Sequence, residues 1–168
     1  MPEVTVVLGD VAEQRVDAIV NAANNHMRGG GGVDGAIHRA GGPTILADCS
    51  ARFPDGLDTG DAGWTTAGLM PARWVIYTIG PNYRAGQTYR GLLTSCYRRS
   101  LEVADDLGAS TVAFPLISSG IYGWPQDDAV CAAARPCERP SRRSREARIV
   151  AFNTETLSSM QTALGRTG

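Results

Sequence analysis

The sequence predicts an α/β protein whose mixed or mostly parallel sheet is covered by helices on both faces. Two observations lead there. Short β-branched runs alternate along the chain with segments of helical period, the pattern of strands joined by crossover helices. A length of 168 residues suits one hydrophobic core, so residues 1–168 are expected to form a single domain.

The elements follow in order. Residues 4–8 (VTVVL) read as a strand ended by Gly9-Asp10, and residues 18–21 (AIVN) as a short buried strand. A Gly-rich stretch over residues 27–32 then leads to a helix at 34–40, closed by Gly41-Gly42, with a further helix at 43–49. Residues 74–79 (WVIYTI) form a strand stopped by Gly80-Pro81. The longest helix is expected at 89–107, where Leu93, Cys96, Tyr97, Leu101 and Ala104 share one face. A strand at 111–115, a helix at 125–134 with Asp127 and Asp128 in its first turn, a strand at 148–152 and a helix at 156–164 complete the order.

Composition excludes several chemistries. All 16 basic residues are Arg, so neither a Walker A lysine nor a Schiff-base lysine is available. The formal net charge of −1 leaves no broad electrostatic footprint for nucleic acid. Residues 135–148 (RPCERPSRRSREAR) are Arg-rich, but no aromatic side chains are interleaved for stacking on bases. They are read as a solvated loop interrupted by Pro136 and Pro140. Cys49, Cys96, Cys131 and Cys137 form no C-x-x-C pair and the only histidines are His26 and His38, so no metal site is expected. The first residues lack the features of a signal peptide and no apolar run is long enough to span a bilayer. The expectation is a cytoplasmic protein with reduced thiols and no membrane contact.

Two loops are built for phosphate. Each follows a strand, where open α/β sheets bind their ligands. The first, NAANNHMRGGGGVDGAIH, carries Gly29 to Gly32 in sequence, so backbone N–H groups can line a concavity ahead of a helix N-terminus. The second, SSGIYGWP, places Gly120 and Gly123 before the next helix. Gly30, Gly32 and Gly35 spell G-x-G-x-x-G, but the cluster begins well past the strand. Asp34 inside it would also face a pyrophosphate, so a Rossmann oxidoreductase is a poor reading.

At these residues the chain resembles MacroD-like macrodomains. The resemblance lies in VDAIVNAANNHMRGGGGVDGAIHRAGG, TGDAGWTTAGLMPARWVIYTIGP, SCYRRSLEVADDLG and FPLISSGIYGWP. It covers roughly residues 4–130 and resumes at Arg148. It implies the macrodomain fold, a three-layer α/β/α sandwich around a central mixed sheet. It departs at CAAARPCERPSRRSRE, where the family has a continuous helix, and at Leu57, near which the family often has Cys.

The resemblance also implies roles. Asp10 would accept the adenine amino group, with Val11 beside it, and Phe152, at the end of the last strand, would stack on adenine. Gly31, Gly32, Val33, Ser118, Ser119, Gly120, Ile121 and Tyr122 would line the diphosphate and distal ribose. Asn21 would tie the two loops together. Asn24 would orient the distal ribose and Asp34 would hold or activate a water, a carboxylate being suited to an oxocarbenium-like transition state. By composition alone Asp10 reads first as a turn cap, a reading the resemblance reverses; the alternatives are a helix cap for Asp34 and a core ring for Phe152. His38, four residues after Asp34 on the same face, is expected to be structural.

The implied activity is removal of single ADP-ribose units from acidic protein side chains, deacetylation of O-acetyl-ADP-ribose, or both, with no cofactor or metal. ADP-ribosylated proteins would be the substrates of a monomer. The alternative is a module that reads ADP-ribose without hydrolysing it.

Overall fold

The computed structural model describes residues 3–135 and 145–166. Six strands form one sheet: β1 (Glu3–Leu8), β2 (Ala18–Ala23), β3 (Ala62–Thr66), β4 (Trp74–Ile79), β5 (Thr111–Phe114) and β6 (Glu146–Ala151). Their spatial order is β1-β6-β5-β2-β4-β3. All neighbours are parallel except β3, which runs antiparallel to β4 at one edge. The described residues also form five α-helices: α1 (Gly32–Gly41), α2 (Pro43–Arg52), α3 (Arg90–Leu107), α4 (Gln126–Ala134) and, after the last strand, α5 (Thr154–Arg166).

Alternation along the strands divides the core into two layers, because successive side chains point to opposite faces. Val20, Ile76, Val112, Phe114 and Ile149 pack with Leu93 and Tyr97 of α3, Val130 of α4 and Met160 of α5. Ile19, Val75, Tyr77, Ala113 and Val150 face the other way, toward Ile37 of α1 and Ile45 and Cys49 of α2. The sheet is therefore the middle of three layers, and the mixed α/β architecture expected from the sequence is the one observed.

The differences are local and have physical causes. β3 was not expected, since Ala62 and Gly63 are weak strand formers. Gly63 is there for packing: a Cβ on it would stand 2.4 Å from Cζ of Phe53. β2 runs to Ala23, so Asn21 lies inside a strand and the first loop starts at Asn24. α1 begins at Gly32, which makes Asp34 its third residue and not its cap. β6 ends at Ala151, leaving Phe152 just beyond it. α5 starts earlier than expected, at Thr154. Of the Arg-rich segment, residues 136–144, including Cys137, lie outside the described residues; Arg148 pairs with Glu146. Cys49, Cys96 and Cys131 are free thiols. Among the described residues, no helix is long and apolar enough to cross a membrane.

Candidate active site

The chain leaves β2 for α1, on one face of the sheet, and leaves β5 for α4, on the other. β2 and β5 are neighbours, so their loops part at this switch point and open a crevice beyond the strand ends.

The first loop, residues 24–31, is tied at its base and open at its tip. Asn24 Oδ1 accepts from His26 N (3.1 Å) and Met27 N (3.2 Å). Met27 is fully buried at φ 58°. Arg28 donates to the carbonyls of Phe53 and Pro54, and Asn25 Nδ2 donates to Leu57 O, which fastens the loop to the α2–β3 connection. The tip is different: a Cβ built on Gly29, Gly31 or Gly32 would have no heavy atom within 4 Å. Gly30 is the exception. Its Cβ would lie 3.3 Å from Asp34 Oδ2 and 3.7 Å from Asn24 Nδ2. The two residues expected to carry the chemistry thus converge on one point. Asn24 spends its oxygen on the loop and turns its donor toward that point.

Asp34 is buried, and its two oxygens have different surroundings. Oδ1 accepts from Asn21 Nδ2 at 2.8 Å and lies 3.3 Å from His38 Nε2. Oδ2 faces Gly30. The position of Asn21 corrects one expectation. It is fully buried and bonds to Asp34, and among the described residues it makes no hydrogen bond to the second loop. A side chain on a strand floor reaches the helix packed over it more readily than a loop beyond the strand end. Asn21 Oδ1 is left without a partner among the described residues. An unpaired buried acceptor ordinarily costs about 1–3 kcal/mol, and such groups concentrate at functional sites.

The second loop, residues 115–125, turns on Ser118, which sits at φ 66° with its carbonyl accepting from Trp124 N. Its buried Oγ is also unpartnered, and it presses on Gly80, where a Cβ would stand 2.5 Å away. Ser119 Oγ donates to Leu116 O. A Cβ on Gly120 would meet nothing, and Ile121 is exposed. Tyr122 O accepts from Arg84 N, so the turn at residues 82–87 braces this loop, a contact between segments too far apart in the chain to be read from local pattern.

The far end of the crevice lies over β1 and β6, whose last residues are register partners. Asp10 caps the turn Val11–Glu13 by accepting from Ala12 N at 2.9 Å, while Val11 is buried beneath it. Phe152 is 89% exposed, so it is not a core ring. From β1 to β2 is three strand spacings, about 15 Å. The exposed ring and free carboxylate edge at one end are separated by that span from the Asn24–Asp34 pair at the other. An extended ligand with a heterocycle at one end and a diphosphate between the loops fits that spacing.

Missing from the sequence reading were Tyr77 and Cys49. The Tyr77 hydroxyl lies 2.9 Å from His38 Nε2, and the Cys49 thiol donates to Met27 O at 3.0 Å. Burial pushes both groups above their usual pKa range, so at neutral pH both keep their protons. Among the described residues, no three His, Cys, Asp or Glu side chains gather as a metal site requires.

A doubly wound sheet with two glycine-bearing loops at its switch point defines a class of α/β proteins that bind phosphate-containing ligands. Comparison with known proteins narrows it. Residues 20–133 match the Macro domain family. A macro domain-containing protein of Streptomyces coelicolor is 50% identical over 169 residues, covering 98% of this chain and 100% of that protein. A Pantoea vagans protein named O-acetyl-ADP-ribose deacetylase 1 is 43% identical over 161 residues, covering 92% and 94%. The Trypanosoma brucei macrodomain, solved in complex with ADP-ribose, superposes with a TM-score of 0.88 at 34% identity, over 96% of this chain and 69% of that one. The Oceanobacillus iheyensis macrodomain with ADP gives 0.88 at 34%, over 96% and 90%. The chain belongs to the macro domain family.

Proposed function

We propose that this protein binds ADP-ribose along the crevice and hydrolyses an ester at its distal ribose. The products would be ADP-ribose and either an unmodified acidic side chain of a protein or acetate. The observation that carries this reading is the convergence of Asn24 Nδ2 and Asp34 Oδ2 beside Gly30, at the opposite end from Phe152. A module that only reads the ligand needs its ring stack and its phosphate loops, and has no use for a buried carboxylate next to the phosphates, where like charge weakens binding.

In this reading the parts divide along the crevice. Phe152 and Asp10 take the adenine, and the residues 29–32 and 118–122 take the diphosphate. Asn24 holds a hydroxyl of the distal ribose. Asp34 Oδ2 accepts a hydrogen bond from the attacking water. The ester bond breaks, the water oxygen completes one product, and its two protons are shared between the carboxylic acid and the ribose hydroxyl. The relative named as a deacetylase and the relatives bound to ADP and ADP-ribose support this reading.

The test is release of single ADP-ribose from a glutamate-modified protein and of acetate from O-acetyl-ADP-ribose. The intact chain is compared with Asp34→Ala and Asn24→Ala, with ADP-ribose binding followed by calorimetry. The expected result is turnover by the intact chain and a large loss of turnover with retained binding in both variants. Equal binding by all three with no turnover by any would make the protein a reader.

A further inference from the structure

On the sheet face that α1 and α2 cover, the β1–β6 half carries a connected row of polar side chains. Glu146, Arg148 and Val150 alternate onto that face, and Val150 shares its cluster with Val11 and Ala12 of the turn that follows Asp10. Arg148 meets Glu146 as a fork, Nε donating to Oε2 at 2.9 Å and Nη2 to Oε1 at 3.0 Å. Two parallel bonds fix the plane of a guanidinium and so aim its remaining nitrogen. That nitrogen, Nη1, donates to Gln14 Oε1 at 3.1 Å. Gln14 Nε2 donates to the carbonyl of Asp10 at 3.0 Å. The side chains of Glu146 and Arg148 are each 23% exposed, so water competes only in part for this row.

The neighbours of the Gln14 amide settle which way it points. A guanidinium only donates and a carbonyl only accepts, so Oε1 must face Arg148 and Nε2 must face Asp10. Asp10 also accepts from the turn itself, from Glu13 N at 3.1 Å on its carbonyl and from Ala12 N at 2.9 Å on Oδ1. Among the described residues, nothing donates to its Oδ2. The amide lies against Gly9, where a Cβ would stand 3.4 Å from Nε2. Gln14 is thus a polar link between the Asp10 turn and the sheet beside it, and Glu146 anchors that link through Arg148.

We infer that Gln14 and Arg148 are positioning residues for base recognition: they hold the Asp10 turn so that its unclaimed carboxylate oxygen stands in a fixed place for the amino group of adenine. A carboxylate that rocks with its turn takes any donor that approaches. One whose backbone is held favours a donor at one place, which sets a preference for a purine that carries the amino group over one that lacks it. Without the Gln14 donor, the Asp10 carbonyl loses one of its two partners and the turn is released from Arg148. Phe152, on which the base stacks, takes no part in the row. The inference rests on the reading that Asp10 takes the adenine, and it is independent of whether the protein hydrolyses its ligand.

The experiment is calorimetry on the full chain with three ligands: ADP-ribose, its analogue with unsubstituted purine in place of adenine, and ribose 5-phosphate. The unaltered chain should prefer adenine to purine about tenfold, the worth of one hydrogen bond to a charged group. Gln14→Leu loses both partners, and Gln14→Glu keeps Arg148 but as a carboxylate cannot donate to Asp10 O. Each should shrink the preference to about twofold or less. Binding of ribose 5-phosphate, which has no base, should hold in both and shows that the crevice is folded. Gln14→Glu separates positioning from mere support: an ion pair with Arg148 sustains stability there, so a Gln14 that only supports the fold would leave the preference intact. An adenine preference that survives in both variants overturns the inference while leaving Asp10 at the adenine. No preference in the unaltered chain removes Asp10 from base recognition, and the inference falls with it.

Discussion

The carbonyl oxygen of Gly30 lies 2.5 Å from where a Cβ on Gly35 would stand, so the first loop folds back onto the helix it precedes by using the one residue type that leaves room. Backbone lies on both sides of this contact, and neither side can yield by rotating a side chain. Gly35→Ala should therefore lower stability by about 1–3 kcal/mol in denaturant unfolding, as overpacking does. It should also weaken ADP-ribose binding in calorimetry, because the loop that shifts is the one beside Asp34. An alanine variant with unchanged stability and affinity would mean the loop does not close in this way.

Phe152 offers the opposite test. At 89% exposure it contributes little to folding, and Phe152→Ala should leave the melting temperature unaltered. Loss of a core Phe would cost about 3–5 kcal/mol. If the ring stacks on adenine, affinity for ADP-ribose should fall by about 1–3 kcal/mol. Affinity for ribose 5-phosphate, which has no base, should not change.

Ser118 holds φ at 66° with a buried hydroxyl that has no partner among the described residues, two costs at one position. Ser118→Gly relieves both while adding freedom to the unfolded chain. Stability should be unchanged or raised, by up to about 1 kcal/mol, whereas Ser118→Val should be clearly destabilising. A substantial loss in Ser118→Gly would show that the hydroxyl supports the loop.

Away from the crevice, Glu146 joins β1 to β6 by accepting from Thr5 Oγ1 at 2.6 Å and from the Arg148 guanidinium at 2.9 and 3.0 Å. Its carboxyl is held below the usual value of 4.5, chiefly by the Arg148 hydrogen bonds, against the opposing effect of partial burial. A group with a depressed pKa stabilises the fold above its unfolded value, and that contribution is lost as pH falls through the folded value. Glu146→Gln should thus be less stable than the unaltered chain at pH 7, with the gap closing as pH falls below the usual carboxyl value of 4.5 and through the lower value of the folded state. A gap that stays constant with pH would remove charge from the explanation.

The parts of this molecule that showed in the sequence are those set by neighbours along the chain. The apolar run of β4 and the helical face of α3 declare themselves, and the glycines with Asn24 and Asp34 lie within one short loop and the helix after it. What stayed hidden depends on residues far apart. β3 is a strand because β4 pairs with it and because Phe53 needs the space over Gly63, not because Ala62 and Gly63 prefer extension. Tyr77 reads as one more residue of an apolar strand until the register with Asn21 is known. The exposure of Phe152 turned on a strand ending one residue earlier than its hydrophobicity suggested.

Gly31 and Gly120 have open space where a side chain would begin, and neither needs a left-handed backbone. The empty protein would accept a larger residue at either place without strain. Variants there would be produced, melt and survive proteolysis like the parent, and reveal their defect only when ligand is offered. A library scored once for cellular abundance and once for ADP-ribose capture should split at these two positions more cleanly than anywhere else in the crevice. They mark where selection for the ligand can be read free of selection for the fold.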